Sequence, residues 1–196
     1  HAAAKSGNRE LVEWIVGQNI SVTAKDNNGQ TALHLAASYG QKEVIEWLLG
    51  RGAEINAKDN YGRTPLYVSV RQNKDVAELL LEKGADVDAA NNDGDTPLRW
   101  AAIDDRKEVI LLLASRGANV NARNKKGETP LFKAAYYGNM NTLEAMISKK
   151  ADVNAKDDSG YTPLVVALNE GKTNVVQALV AAGANINTAD SYERTP

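Results

Sequence analysis

The chain contains no cysteine, and this absence excludes disulfide bonds and thiol catalysis. The chain has only two histidines, His1 and His34, which lie 33 residues apart, so catalysis finds little support and a metal site has no second histidine close by. We therefore expect no enzyme activity, no metal and no cofactor. A protein without disulfides fits a reducing compartment, and we expect an intracellular, cytoplasmic location.

Charge of one sign and long hydrophobic runs are also missing. The net charge is −2, which is not the basic excess of a protein that binds nucleic acid or an anionic membrane. No apolar run approaches about 18 residues, so we expect no membrane insertion. The glycines are spread singly along the chain, which gives no glycine-rich phosphate loop. The Asn/Asp-rich turns, such as residues 91–95, lack the ligand spacing of a calcium loop and are typical of tight turns.

What the chain does have is a motif that returns at a fixed interval. Asn56 to Leu66 reads Asn-Ala-Lys-Asp-Asn-Tyr-Gly-Arg-Thr-Pro-Leu, with close copies from Asn121 and Asn154. The motif threonines are spaced by 33, 32, 33, 33 and 33 residues, at Thr31, Thr64, Thr96, Thr129, Thr162 and Thr195. A fixed period of this length indicates a stacked-repeat architecture.

The period, the Thr-Pro-Leu-x-x-Ala core and the Gly-Ala-Asp-Val-Asn-Ala ending resemble those of ankyrin repeats over the whole chain. The resemblance implies an all-α repeat solenoid of helix-turn-helix units with β-hairpin-like arms, about six repeats, incomplete at both ends. We predict a single domain over residues 1–196. It would comprise a partial repeat at 1–25, repeats one to five at 26–58, 59–90, 91–123, 124–156 and 157–189, and a partial repeat at 190–196. We expect the chain to be a segment of a longer array.

Within a repeat, local signals define each helix. In repeat two, Thr64 is the predicted N-cap, and Pro65 occupies the first helical position, where its missing N–H costs nothing. A second helix is predicted from about Lys74 to Lys83, and Gly84 ends it in the left-handed conformation. Neither helix can bury its apolar face alone, so we expect each repeat to be stable only against its neighbours.

Several residues depart from this pattern. Repeat two lacks one residue in the turn before its second helix, and Asp105 stands where other repeats have a turn glycine. Lys150 replaces the glycine that ends the second helix, at a cost on the order of 1 kcal/mol. We expect repeats two to four to be the less stable part of the stack. The tryptophans occupy helical registers and are predicted to lie in the core: Trp14, Trp47 and Trp100.

The resemblance also implies roles for particular residues. His34 would join adjacent arms by hydrogen bonds, while Tyr67, Arg99, Phe132 and Val165 occupy its register in the other repeats. A protein or peptide partner would dock on the concave face, formed by the arm tips and the exposed ends of the first helices. The predicted partner-binding residues are Tyr39, Tyr61, Arg63, Arg71, Asp93, Asp95, Asp104, Lys125, Lys126, Tyr136, Tyr137 and Tyr161.

Two patterns support this surface. Six of the seven tyrosines occupy its registers (Tyr39, Tyr61, Tyr136, Tyr137, Tyr161 and Tyr192), and tyrosine is enriched in binding hot spots. The charges at these registers alternate in sign from repeat two to repeat five. This banding fits a partner of mixed charge. It equally fits charge pairs between adjacent repeats, worth about 0–1 kcal/mol per exposed pair.

These observations favour a non-catalytic scaffold that binds another protein and is a monomer in isolation. One alternative is a regulatory or targeting module of a larger enzyme or membrane protein. Another is an engineered repeat binder, although the unequal repeats argue against a consensus design. Fold alone licenses no narrower function.

Overall fold

The protein is described here by a computed structural model, which covers residues 1–71 and 73–188. The predicted partial repeat at 190–196, with Tyr192, lies outside the described residues. The described residues form twelve α-helices and one 3-10 helix. The α-helices are α1 (Ala2–Ser6), α2 (Arg9–Gly17), α3 (Ala32–Ser38), α4 (Lys42–Gly50), α5 (Pro65–Ser69), α6 (Lys74–Glu82), α7 (Pro97–Ala101), α8 (Lys107–Ser115), α9 (Pro130–Tyr137), α10 (Met140–Ser148), α11 (Pro163–Asn169) and α12 (Thr173–Ala181). The 3-10 helix, Ala102–Asp104, directly follows α7.

The first helices of repeats two to five begin where the threonine–proline signal predicts. The Thr64 hydroxyl accepts a hydrogen bond from the Tyr67 N–H at 3.2 Å, and Pro65 is the first residue of α5. Thr96 caps α7 in the same way, by accepting from the Arg99 N–H at 3.3 Å. A side-chain oxygen at this position satisfies one of the free N–H groups of the first turn, which fixes the helix start.

The chain divides into two compact units, each built from repeats whose helices pack on those of the next repeat. Unit 1 spans His1–Asn92 and contains α1 to α6. Within it α1 packs on α3, α3 on α5, and α2 on α4. The side chains between these helices are fully buried aliphatic residues, among them Leu33, Ile45, Leu48, Leu66 and Leu80. The single-domain organisation stays a prediction.

Unit 2 begins at Asp93 and contains α7 to α12. Here α9 packs on the 3-10 helix, α11 packs on α9, and α10 packs on both α8 and α12. Its core contains Leu98, Ile110, Leu113, Leu131 and Leu143, all without exposed surface. None of the helices in the described part of the chain is long and apolar enough to cross a membrane.

The arms between the helix pairs are chains of turns, and among residues 1–71 and 73–188 they contain no strand. One backbone hydrogen bond joins each arm tip to the next within a unit. The bonds run from Asn60 N to Asn28 O (3.0 Å), Asn92 N to Tyr61 O (2.9 Å), Lys125 N to Asp93 O (2.9 Å) and Asp158 N to Lys126 O (3.0 Å). A Cβ at Gly62 would lie 2.7 Å from the Asn92 nitrogen, so this close approach requires glycine.

The two predicted glycine replacements do adopt the left-handed conformation. Lys150 has φ 64° and Asp105 has φ 51°. Asp105 also makes contacts that a glycine could not: its carboxylate accepts from the Thr142 N–H at 2.8 Å and from the Asn141 amide at 2.9 Å. In return, the Asn139 amide donates to the carbonyls of residues 102 and 103, both at 2.8 Å. The strain at Asp105 is therefore accompanied by hydrogen bonds that anchor the start of α10.

One core prediction is wrong, because Trp14 is 64 % exposed. Helix α2 buries Val12, and a residue two positions further along a helix points roughly to the opposite side. The other two tryptophans are only half-buried, and the Arg51 guanidinium lies 5.1 Å from the ring centroid of Trp47. A helical register alone did not distinguish the packed face from the outer face.

Candidate interaction surface

His34 joins repeats one and two inside unit 1. Its Nε2–H donates to the Arg63 carbonyl at 2.9 Å, and its Nδ1 accepts from the Thr31 N–H at 3.2 Å. A carbonyl can only accept, so the proton belongs on Nε2. Burial lowers the pKa of His34 below its ordinary value, and this keeps the ring neutral. The predicted structural role is confirmed.

The arm tip of repeat two presents Tyr61, which is 57 % exposed. The Arg63 guanidinium lies 4.7 Å from the centroid of the Tyr61 ring and pairs with Asp59 at 2.7 Å. The Asp59 side chain has no exposed surface, so Arg63 neutralises a buried carboxylate. Arg63, a predicted partner-binding residue, is therefore committed to an internal contact that orients Tyr61.

The other predicted residues of unit 1 are Tyr39 and Arg71. Tyr39, at the end of α3, is 49 % exposed, and the Lys5 ammonium lies 4.7 Å from its ring centroid. Such cation–π contacts are worth about 0.5–1 kcal/mol at exposed sites. Arg71 is half-buried. Unit 1 thus offers two exposed tyrosines, each held beside a cation of its own unit.

In unit 2 the residue at the His34 register is Arg99, which is 3 % exposed. Its guanidinium donates to Asp95 at 2.5 Å, to Glu128, and to the Thr129 carbonyl at 3.3 Å. Asn124 completes the cluster by donating to both carboxylates, at 2.9 and 3.1 Å. Arg99 therefore joins repeats three and four as His34 joins repeats one and two, but with charged groups.

This cluster changes the interpretation of Asp95, because a residue that was predicted to contact a partner instead makes internal hydrogen bonds. Its carboxylate is occupied by Arg99 and Asn124, and its side chain is 18 % exposed. The sequence analysis placed Arg99 at the His34 register but gave it no role, because only a histidine was expected to join repeats there. The available signal was an arginine at that register with Asp95 four residues before it and Glu128 beside the next motif threonine.

Repeat four carries the densest group of predicted residues. Tyr136 and Tyr137, at the end of α9, are 46 % and 43 % exposed, and their rings meet edge to face at 5.1 Å. Lys125 and Lys126 are exposed on the arm tip. Lys133, which the sequence analysis missed, is half-buried, with its ammonium 5.8 Å from the Tyr137 ring centroid. Burial, and then the charge of Arg99, lower the pKa of Lys133.

Three predicted residues of unit 2 remain, and one of them adjoins repeat four: the Asp93 carbonyl accepts from the Lys125 N–H at 2.9 Å. Asp93 and Asp104 are exposed, while Tyr161 is half-buried. Part of the alternating charge joins neighbouring repeats within the unit, through the Arg99–Glu128 pair and an Arg123–Asp158 contact at 3.5 Å. These two contacts favour the internal-pairing interpretation for the residues involved. The exposed Arg123 pair contributes about 0–1 kcal/mol.

The surface offers recognition chemistry more than reaction chemistry. Within the described ranges, no group of three or more histidine, aspartate or glutamate side chains is placed to hold a metal ion. His34, the fully buried histidine, has both ring nitrogens engaged by hydrogen bonds. What reaches solvent at the arm tips and helix ends is tyrosine, lysine and aspartate, which are suited to contact area and charge pairing.

Comparison with protein families covers nearly the whole chain. Three overlapping segments, residues 1–91, 58–124 and 117–190, match a family model described as ankyrin repeats (three copies). None of the curated proteins matches the chain.

Proposed function

The chain belongs to the ankyrin repeat family, and we propose that it is a non-catalytic scaffold that binds a protein or peptide on the concave face. Ankyrin repeats generally mediate protein–protein interaction. The partner-binding surface would be made of arm tips and the exposed ends of the first helices. An intracellular location, a monomeric state and the absence of nucleic-acid partners belong to the same proposal.

The observation that carries the proposal is the exposure of four tyrosines at these registers. Tyr39, Tyr61, Tyr136 and Tyr137 are each between 43 % and 57 % exposed. Tyr39 and Tyr137 share one register, eight residues after their motif threonines, while Tyr136 precedes Tyr137 and Tyr61 lies on an arm tip. Tyrosine offers a large amphipathic contact area at a low cost in side-chain entropy, which suits a binding surface.

Internal contacts narrow the set of candidate side chains. Arg63 neutralises the buried Asp59, and Asp95 accepts from the buried Arg99, so both support the surface from within. The tyrosines, Lys125 and Lys126 expose side-chain atoms to a partner. We assign the binding role first to these residues. A regulatory or targeting module of a larger protein would use the same surface.

Affinity capture from a cell lysate tests the proposal. The wild-type chain is compared with a Tyr136→Ala/Tyr137→Ala variant, a Tyr61→Ala variant and a Trp14→Ala control, which removes an exposed aromatic side chain from helix α2. We expect a protein retained by the wild type and the control but reduced by at least about tenfold in a tyrosine variant, since hot-spot residues contribute about 2 kcal/mol or more.

Arg63→Ala is avoided, because it would leave the Asp59 carboxylate buried without its guanidinium. Equal recovery by all four chains would contradict the assigned surface. Failure of the folded wild type to retain any protein would contradict the scaffold function itself. Circular dichroism of each variant establishes that the helices are intact.

A further inference from the structure

We propose that repeat four binds an acidic peptide segment. Its carboxylates would pair with Lys125, Lys126 and Lys133, and an apolar or aromatic side chain would pack on Tyr136 and Tyr137. We call these five residues the basic–aromatic patch. The inference rests on the proposed function and adds the chemistry of the partner.

The patch is continuous within unit 2. Lys133 lies close enough to Lys126 for the two charges to interact, and its ammonium lies over the Tyr137 ring. The Tyr137 ring in turn contacts the ring of Tyr136 edge to face. Lys125 adjoins Lys126 on the arm tip, where its N–H bonds to the preceding arm. Charged and aromatic groups are therefore presented side by side.

Internal pairing leaves this patch positive. Asp95 and Glu128 are drawn to Arg99, and Asp158 lies beside Arg123. Among the described residues, no carboxylate oxygen lies within 4.0 Å of the ammonium groups of the three patch lysines. Asp95, Glu128 and Asp158 are thus paired with arginines, while the cations of the patch remain available to a partner.

The environment of Lys133 favours binding of a carboxylate to the patch. Its ammonium is half-buried, yet its nearest described aromatic contact is a ring centroid 5.8 Å away, near the limit of an effective cation–π contact. Burial and Arg99 both lower its pKa, which means that the charged form is destabilised where it stands. A carboxylate placed beside it would offset this cost.

The same features favour a peptide over a nucleic acid. Three lysines are few for a phosphate backbone, and the chain as a whole carries a charge of −2. A short peptide segment with a few carboxylates and an apolar side chain could pair with the lysines and pack on the tyrosines of the patch at the same time.

Selection from a random peptide library displayed on phage tests the proposal, with the library as the probe. The wild-type chain is compared with a Lys125→Gln/Lys126→Gln/Lys133→Gln variant. A matched control, Lys74→Gln/Lys83→Gln/Lys149→Gln, removes three exposed charges from the ends of second helices. A Lys125→Gln/Lys126→Gln variant, which changes only exposed side chains, covers the case in which the triple variant fails to fold.

We expect the wild type and the matched control to enrich peptides rich in aspartate and glutamate. Affinity of these peptides should fall by about tenfold on the patch variants and should weaken with added salt. Enrichment of neutral or basic peptides, or equal retention by the patch variants, would overturn the acidic assignment and leave the scaffold function standing. No enrichment by any chain would overturn both. Tighter, patch-dependent binding of a single-stranded oligonucleotide would overturn the peptide assignment.

Discussion

His34 and Arg99 lie at the same repeat register and each joins its repeat to the next. We call each of these side chains with its hydrogen-bond partners a joint, and the two joints differ in their chemistry. In unit 1, neutral His34 donates one hydrogen bond to a carbonyl of the next repeat. In unit 2, the buried Arg99 bonds to a carbonyl of the next repeat and also to two carboxylates. The repeat architecture fixes where a joint must reach, but it does not fix the charge of the group that reaches there.

The difference has an energetic consequence. Removing the side chain of the neutral joint loses its one hydrogen bond to the next repeat, which costs about 1–2 kcal/mol. A charged joint leaves carboxylates without their cation, and breaking such a buried pair costs about 3–5 kcal/mol. The charged joint is therefore the more fragile of the two to substitution, although the neutral joint is the more sensitive to pH.

The largest effect is expected for Arg99→Met. This change keeps most of the side-chain volume but leaves Asp95 and Glu128 close together without the guanidinium, and we expect a loss of about 3 kcal/mol in the free energy of unfolding. Urea unfolding followed by the fluorescence of Trp100, in a background where Trp14 and Trp47 are phenylalanine, reports on unit 2.

The matched control is Arg99→Met combined with Asp95→Asn and Glu128→Gln. Removing both negative charges should recover at least half of the lost stability, because the penalty arises from unneutralised carboxylates. If the triple variant is as unstable as the single one, the loss comes from packing or the Thr129 bond, and the contrast between the two joints disappears.

A smaller, pH-dependent effect is expected at His34. Burial lowers the pKa of His34 in the folded chain below 6.5, so the unfolded chain takes up the proton first as the pH falls. The joint's contribution is therefore complete above about pH 6.5 and decreases on acidification until the folded pKa is reached. Arginine does not change its charge over this range, so the joint in unit 2 should not respond.

The measurement compares the free energy of unfolding at pH 7.5 and pH 5.0 for the wild type and His34→Gln. We expect the variant to be less stable by about 1–2 kcal/mol at the higher pH and to lose less on acidification. His1 is present in both chains, so its titration cancels. Identical pH dependence of the two chains would contradict the neutral-joint assignment.

The smallest effect concerns the turns. Second helices are followed by a left-handed glycine at Gly52 and Gly84 in unit 1 and at Gly117 and Gly183 in unit 2, whereas Asn19 in unit 1 and Lys150 in unit 2 take this place, each at φ 64°. Lys150→Gly should stabilise the chain by about 1 kcal/mol, since glycine adopts this conformation without a Cβ penalty. Lys149→Gly, at φ −96°, is the matched control and should destabilise the chain slightly. A stabilisation by both changes would show that the turn conformation is not the cause.

Much of the fold could be predicted from the sequence because its signals are local. Thr64 followed by Pro65 marks a helix start, and Lys150 in a glycine position marks a left-handed turn; each is decided within a few residues. The burial of Trp14 was predicted wrongly because it depends on which face of α2 meets its neighbour. Tertiary packing determines which face is buried, and a short helix shows only a weak hydrophobic pattern of that face in its sequence.

The candidate surface was predicted less completely, for a related reason. The exposed tyrosines follow from register, and Tyr61, Tyr136 and Tyr137 are exposed as expected. The internal pairings of Arg63 and Asp95 change the interpretation of the surface. In the Asp95 cluster, Arg99 also bonds to Glu128, 29 residues further along. Lys133 was overlooked because it matters only if no neighbouring carboxylate pairs with it, and the sequence does not reveal such pairings.

The exchange of hydrogen bonds around Asp105 bears on how freely these repeats could be rearranged. Repeat three supplies the Asp105 carboxylate, which accepts hydrogen bonds from Asn141 and Thr142. Repeat four supplies the Asn139 amide, which donates to two carbonyls of the preceding 3-10 helix. Recombination that duplicated or deleted either repeat alone would separate donors from acceptors. Repeats three and four are therefore inherited most safely as a single cassette, twice the length of the unit that the sequence period displays.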